Sequence, residues 1–366
     1  MAEFACLSDL HFGDVACLLN DPGRANRLAD QVAARCRESV GTLVLNGDVW
    51  EQCIPSHDGG APGRGFYPRV CQSSRNFFGR LLDKTSVGKI VVIFGNHDLS
   101  LWHRLAASLG LPSLHTPPSG TVIRPTQSQA MADFFSELWP ARDLPEVRVA
   151  YPNFASDTRF PYVLFHHGHL LDSFVLGWDA SLRDRLLHIV GAGPATVDRD
   201  VESMRAIADV TRPFILGLWR EDSDVDRIYW NNINRRFDHP QSCQLAGSGD
   251  QLIDDRGHPT SPRDGCLPNV PWYLGIAVSD PELPTPVASF DRSGAQPDDF
   301  TKRSCFVFGH DHLGSRTTNF VSGVPFAVRD SAGWTREYDD HHPHTHFLLW
   351  DTPGSCVPKS CYVDLG

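Results

Sequence analysis

Lys89-Ile90-Val91-Val92-Ile93-Phe94-Gly95-Asn96-His97-Asp98 decides how the rest of the chain reads. The run from Lys89 to Phe94 is β-branched and aromatic, as a buried strand is, and the glycine that ends it is followed at once by polar groups. The same pattern occurs twice upstream. Phe4 to Ser8 runs into Asp9-Leu10-His11, and Thr42 to Leu45 runs into Gly47-Asp48. Between them, Asp21-Pro22 marks a helix start, because aspartate accepts orphan N–H groups and proline suits the first helical position. Ala25, Leu28, Ala29, Val32 and Cys36 follow at helical spacing, and Val70, Phe77, Phe78, Leu81 and Leu82 mark a second helix. Strand, helix, strand, helix, strand predicts a βαβαβ unit with parallel strands. Its polar residues collect at the carboxyl edge of the sheet, where open α/β folds place their ligands.

Downstream, Leu101, Leu105 and Leu109 predict a short helix stopped by Gly110 and Pro112, and Met131 to Trp139 predicts another. Val147 to Tyr151 and Pro161 to Phe165 read as strands, the second feeding His166-His167-Gly168-His169. From about 170 to 300 the character changes. Stripes at Val175, Trp178, Leu182, Leu186 and Ile189, then at Val201, Met204, Ile207 and Ala208, then at Val225, Ile228, Tyr229 and Ile233, predict a helical insertion. A Pro-, Gly- and Asp-rich arm follows it, and a loop that long is usually functional or disordered. Cys305 to Phe308 resumes the core and presents Gly309-His310-Asp311-His312. Strands near Pro325–Arg329 and Thr345–Trp350 are expected to close a second sheet.

The 366 residues carry a formal net charge of −11 and 41% hydrophobic residues. Those values suit a soluble globular chain, read as one domain over 1–366 with the insertion inside it. The acidic balance disfavours a nucleic-acid partner, because phosphate binding relies on Lys and Arg. The opening residues lack a basic segment followed by an apolar stretch, and no apolar run of about 18 residues appears, so neither a secretory signal nor a membrane span is expected. Ten cysteines at irregular spacing fit reduced thiols in a cytoplasm, with Cys356–Cys361 or Cys243–Cys266 as alternative pairs.

The chemistry lies in the residue types at the strand ends: carboxylate, imidazole and carboxamide, without cysteine. That mixture suits Mn, Fe, Zn or Ni. Two such ions roughly 3.5–4 Å apart can activate a water and clamp a phosphoryl group. Asp48 reads as the bridge, its two oxygens facing two ions. Asp9 and His11, at i and i+2, can grip one ion, and His310 and His312 have the same spacing. Asn96 offers a neutral oxygen. One of His166, His167 and His169 supplies a further ligand. His97 is placed to protonate a leaving oxygen, and Asp98 to orient its ring. Taken singly, Asp-x-His and Gly-Asp are commonly turns; five such patterns in fixed order, each after a strand, are not expected by chance.

The ordered series D-x-H, G-D, G-N-H-D, H-G-H and G-H-x-H resembles the calcineurin-like metallophosphoesterases over residues 9 to 312. The resemblance implies an α/β fold, a four-layer α/β/β/α sandwich of two mixed sheets, with a dinuclear site between their edge loops. It assigns Asp9, His11, Asp48 and His312 to one metal, and Asp48, Asn96, His167 and His310 to the other. It also implies hydrolysis of a small-molecule phosphomonoester or phosphodiester by a metal-bridging hydroxide, with His97 as general acid, Asp98 as its partner and Mn as the first choice of ion. Gly47-Asp48-Val49-Trp50-Glu51 is similar to the stretch in members that cleave nucleotide-sugar lipids, which carry arginine where this chain has His97. The Asp-Arg-Gly continuation of protein Ser/Thr phosphatases is missing. Nothing in the resemblance explains the insertion.

His341, His342, His344 and His346 suit an exposed loop or a separate metal site, and the resemblance of Gly333-Trp334 to the hairpin that follows G-H-x-H in that superfamily implies that one of these rings leans toward the first site. Arg64 and Arg69 flank a glycine-rich loop and are solvated or meet a substrate phosphate. Trp178, Trp219, Tyr229 and Trp230 suit a small core or an apolar groove. A nuclease and a non-catalytic docking scaffold are the alternatives to a phosphoesterase of small molecules. Salt-dependent nucleic-acid binding separates the first, and metal content the second.

Overall fold

The structure, a computed structural model, describes residues 2–13, 17–51, 66–95, 97–111, 116, 119–128, 131–132, 135, 145–151, 153–156, 162–169, 253–254, 304–310, 315–321, 324–334, 346–352, 355 and 357–365. Chain order begins β1 (Ala2–Leu7), α1 (Pro22–Cys36), β2 (Ser39–Asn46), α2 (Phe66–Lys84), β3 (Ser86–Ile93), α3 (Leu99–Leu109), β4 (Thr121–Ile123) and β5 (Glu146–Ala150). Then come β6 (Asn153–Ala155), β7 (Tyr162–His166), β8 (Ile253–Asp254), β9 (Ser304–Phe308), β10 (Ser315–Val321), β11 (Val324–Asp330), β12 (His346–Trp350) and β13 (Lys359–Tyr362).

Among the described residues the strands form two mixed sheets, so the fold is α/β. The first is seven-stranded in the order β13-β12-β1-β2-β3-β5-β4, and the second six-stranded in the order β6-β7-β9-β11-β10-β8. The expected βαβαβ unit is present: β1 pairs parallel with β2, and β2 with β3.

Local signals set these elements. The Asp21 carboxylate accepts the Arg24 N–H at 2.8 Å, and Pro22 opens α1. The stripe Ala25, Leu28, Ala29, Val32 and Cys36 is buried. Burial of a leucine or valine of this kind contributes about 1.5–3 kcal/mol. Gly110, at φ 64, ends α3 in the left-handed conformation that glycine adopts without strain.

Period-two alternation sorts the strand residues. Leu7, Leu45, Val92 and Leu349 face α1, α2 and α3 in one apolar cluster. Phe4, Cys6, Val44, Val91, Ile93, Leu348 and Trp350 face Val163, Phe165, Cys305, Val307 and Ala327 of the second sheet in another. Three layers are therefore packed here: helices, first sheet, second sheet. Leu164, Phe306, Phe308 and Val328 are buried on the second sheet's opposite face.

One placement differs from expectation. Thr345–Trp350 was expected to close the second sheet, but β12 pairs antiparallel with β1 in the first (Phe4↔Trp350, Cys6↔Leu348). All five residues of β12 are buried, so the strand has two apolar faces and suits an interior position between β1 and β13. β4, β6, β10 and β13 are short or lack a continuous apolar run, and had no clear signal in the sequence. The insertion at about 170–300 lies outside the described residues, except for Ile253–Asp254, which pair with β10. Cys361 is a buried free thiol, and Cys356, Cys243 and Cys266 lie outside the described residues. Among the described residues no helix is long and apolar enough to cross a membrane.

Candidate metal centre

Beyond the ends of β1 and β2 the two chains keep running side by side. The N–H of Asp9 donates to Gly47 O (3.0 Å), that of His11 to Asp48 O (2.8 Å), and that of Phe12 to Val49 O (3.0 Å). The N–H of Glu51 then donates back to Phe12 O at 3.0 Å. This ribbon presents Asp9, His11, Asp48 and Glu51 together. Asp9 (φ 54), His11 (φ 46), Asp48 (φ 49) and, across the site, His310 (φ 74) are all left-handed. Positive φ in non-glycine residues concentrates at functional sites and costs of order 1–3 kcal/mol each.

The second sheet meets this ribbon edge to edge. The Gly309 N–H donates to His167 O at 2.6 Å, and the His310 N–H lies 3.1 Å from each oxygen of Asp9. Ser8 Oγ sits between Asp9 Oδ2 and the Asn46 carbonyl. Two glycines permit the close approach. A Cβ on Gly95 would collide with Asp48 Oδ1 and the His167 ring, and one on Gly309 with Ser8 Oγ and Asp9 Oδ2.

Among the described residues two groups of three ligand atoms result, His11/Asp48/His97 and Asp48/His167/His310, with the atoms of each within 4.8 Å of one another. Asp48 belongs to both. Its Oδ1 accepts the His97 backbone N–H at 2.8 Å. Oδ2 lies 3.0 Å from His167 Nε2, 3.9 Å from His11 Nε2 and 4.0 Å from His97 Nε2. The donor set, imidazole and carboxylate without thiolate, fits a borderline or hard divalent ion.

The rings of His11, His97 and His167 are held from behind. His167 Nδ1 faces the Asn46 carbonyl at 3.0 Å, leaving Nε2 to the site. Glu51 Oε2 takes His11 Nδ1 at 3.2 Å and His97 Nδ1 at 2.6 Å, and Glu51 is wholly buried. The sequence reading gave the task of orienting His97 to Asp98. In the structure Asp98 accepts the N–H groups of Val49 (3.0 Å) and Gly95 (2.6 Å), and so ties the Asp48 loop to the Asn96 loop. Glu51 was visible only as part of a resembling stretch. Its distance from His11 in sequence hid their contact, which the ribbon alone creates.

Electrostatics follow from burial and pairing. Burial opposes a charged His11, yet the hydrogen bond to Glu51 and the charges of Asp48 and Glu51 outweigh it and raise its pKa to about 9. His167 likewise reaches about 9, burial being overcome by Asp48 and Asp9. Burial would raise Asp48, but His167 and His97 bring it well below the usual carboxylate range. Burial also opposes ionisation of Glu51, which His97 and His11 nonetheless lower to about 2. Asp98 goes the other way, to about 7, through burial and then the neighbouring Asp48 charge.

Of His166, which ends β7, and His167 and His169, which follow it, His167 is the one that reaches Asp48. His166 Nδ1 accepts the Gly168 N–H at 2.8 Å, and His169 Nε2 faces Tyr151 Oη at 3.2 Å. Burial and the charge of His167 push the pKa of His166 down to about 3 and that of His169 well below its ordinary value. Asn96 and His312 lie outside the described residues, as do the side chains of Arg64 and Arg69, the rings of His341, His342 and His344, and the aromatic residues of the insertion. His346 is buried on β12 with its ring 5.5 Å from that of Tyr362.

No family model matches the chain, and no curated protein matches it. Among solved structures it is similar to the phosphopantetheinyl hydrolase PptH from Mycobacterium tuberculosis. The identity is 16%, 94% of this chain and 93% of that chain are covered, and the TM-score is 0.31. A likeness at that level bears on neither fold nor activity.

Proposed function

We propose that this chain is a metal-dependent phosphoester hydrolase of the calcineurin-like metallophosphoesterase type, a single four-layer domain holding two divalent ions that share Asp48. The observation that carries this reading is the pair of three-ligand groups meeting at Asp48. Asp9, His11, Asp48 and His167, with His310, would hold the ions, and Asn96 and His312 would complete their shells. Manganese is the first choice, with Fe, Zn or Ni compatible with the same donors. When bound, such ions supply an activated water and neutralise charge on a phosphoryl group in transfer.

The chain's own residues do the rest. His11 and His167 are nearly closed to solvent, with side chains 4% and 0% exposed, whereas His97 is 16% exposed. His97 therefore stands on the side from which a small phosphoester arrives. Glu51 holds its Nδ1 and leaves Nε2 to give a proton to the departing oxygen. Asp98 acts one step back, by fixing the two loops that carry Asp48 and His97.

Purified protein analysed for bound metal should carry about two ions per chain. With Mn it should hydrolyse an aryl phosphate mono- or diester. Asp48→Asn should abolish turnover, and His97→Ala should lower it by about 10²–10⁴-fold. Turnover indifferent to chelator would sink the proposal, and a chain that binds no ion would be a docking scaffold instead.

A further inference from the structure

Asn46 ends β2 wholly buried, and one of its polar atoms is left over. The side-chain oxygen Oδ1 has no hydrogen-bond partner among the described residues. A buried acceptor without a donor costs stability, and a leucine of nearly the same size would fill the space without that cost. What leucine lacks is the amide N–H. Asn46 Nδ2 donates to the carbonyl of His166 at 3.1 Å, across 120 positions of sequence. This side chain therefore crosses from the first sheet to the end of β7 in the second.

The same residue meets the next ring along. The Asn46 peptide carbonyl accepts from Nδ1 of His167 at 3.0 Å and from the Ser8 hydroxyl at 2.8 Å. A Cβ on Gly47 would collide with the His167 ring, so that ring lies directly against the Gly47 backbone. Its Nε2 is 3.0 Å from Asp48 Oδ2. Three consecutive residues, Asn46, Gly47 and Asp48, thus hold His167 at Nδ1, at the body of the ring and at Nε2. All three holds depend on where the His167 main chain stands relative to the end of β2, and the Asn46 amide ties the two together.

We infer that the Asn46 side chain is a positioning residue for His167: its amide fastens the peptide before His167 to β2, and so keeps the ring turned with Nδ1–H on the Asn46 carbonyl and Nε2 toward the ion. This rests on the reading of His167 as a metal ligand and adds to it the side chain that fixes the direction of the ring. Partners that act on a metal through its ligand typically govern roughly 10–100-fold in affinity.

Zinc, which is diamagnetic, tests the inference without any turnover. In ¹⁵N-labelled, zinc-loaded protein the Nδ1 proton of His167 should give a sharp, slowly exchanging signal. In Asn46→Leu, which keeps the size and removes the donor, that signal should broaden or vanish, and calorimetric zinc affinity should fall roughly 10–100-fold. The metal-free Asn46→Leu protein should melt close to the unaltered one, because loss of the bond to His166 is offset by removal of the orphaned oxygen. Thr85→Val is the control. Thr85 Oγ1 is also buried without a partner among the described residues, between α2 and β3, and this change should leave zinc affinity and the ring signal as they were. Affinity and ring signal unchanged in Asn46→Leu would overturn the inference while leaving the two-ion reading intact. So would an affinity lost only in step with a lower metal-free melting temperature, or an equal loss in Thr85→Val. An unaltered protein that binds no zinc would overturn both. Should Asn46→Leu fail to fold, Asn46→Ala decides, read on the ring signal and zinc affinity alone.

Discussion

The backbone N–H of His310 is directed at the carboxylate of Asp9, 3.1 Å from each oxygen, across 301 positions of sequence. This contact joins the loop after β1 to the loop after β9, and so joins the two sheets at the edge where the ligands gather. It is made possible by the residue before His310. Gly309 has no side chain to collide with Ser8 and Asp9.

Gly309→Ala should therefore separate the sheets locally. The added methyl has no free volume, and overpacking of this kind costs about 1–3 kcal/mol. The expected outcome is a lower melting temperature together with loss of bound metal, measured by calorimetry and elemental analysis on the same preparation.

Metal binding should compete with protons. His11 and His167 are both raised to about 9, so at neutral pH both rings carry a proton that an incoming ion must displace. Apparent affinity should climb from pH 7 toward 9 and then level off. Protons should be released on loading, as read from calorimetric heats in two buffers of different ionisation enthalpy. An affinity flat between pH 7 and 9 would contradict the assignment.

Acid should destabilise the metal-free protein for a reason separate from its ligands. His166 is held down to about 3 and His169 well below its usual value, so both stay neutral in the fold while the unfolded chain takes up protons below about 6.5. Stability is lost as pH falls from 6.5 toward 3. Asp98 works against this, since its folded pKa of about 7 makes it stabilising at low pH and less so as pH rises through 7. Its window is about as wide as that of His166, and His169 then tips the balance toward loss. His11 and His167 are raised, so their contribution is complete below 6.5 and fades only as pH approaches 9. The urea midpoint should fall between pH 6.5 and 4.5; a flat or rising midpoint would show that the two low-pKa rings are not held neutral.

Changes away from the centre should leave it untouched. Asp21→Ala removes a helix cap worth about 1 kcal/mol without altering metal content. Arg80→Ala breaks an ion pair with Asp30, but both side chains are more than a third exposed, and pairs of this kind contribute about 0–1 kcal/mol. Both variants should retain full metal stoichiometry.

The parts of this molecule that could be read from sequence are those with local causes. Asp21-Pro22, the α1 stripe and the strand-then-polar pattern at Asp9, Asp48 and His97 each depend on neighbours in the chain, and each produced a correct element. What could not be read depends on distant contacts. Nothing local says that β12 joins β1, because a strand apolar on both faces fits either sheet. Nothing local says that Glu51 rather than Asp98 stands behind His97, because that follows from Phe12 and Trp50 lying side by side. The Asn46 carbonyl behind His167 is a backbone group and carries no residue signature at all.

The left-handed backbone at Asp9 and Asp48 bears on how an ion-free form of this protein is best engineered. Asparagine tolerates that conformation about as well as aspartate, while alanine does not. Asp9→Asn and Asp48→Asn thus remove a negative charge and keep the turn, so they should give well-folded, unloaded protein. The alanine versions would confound lost ions with a bent main chain, and a defect seen only in them would belong to the turn.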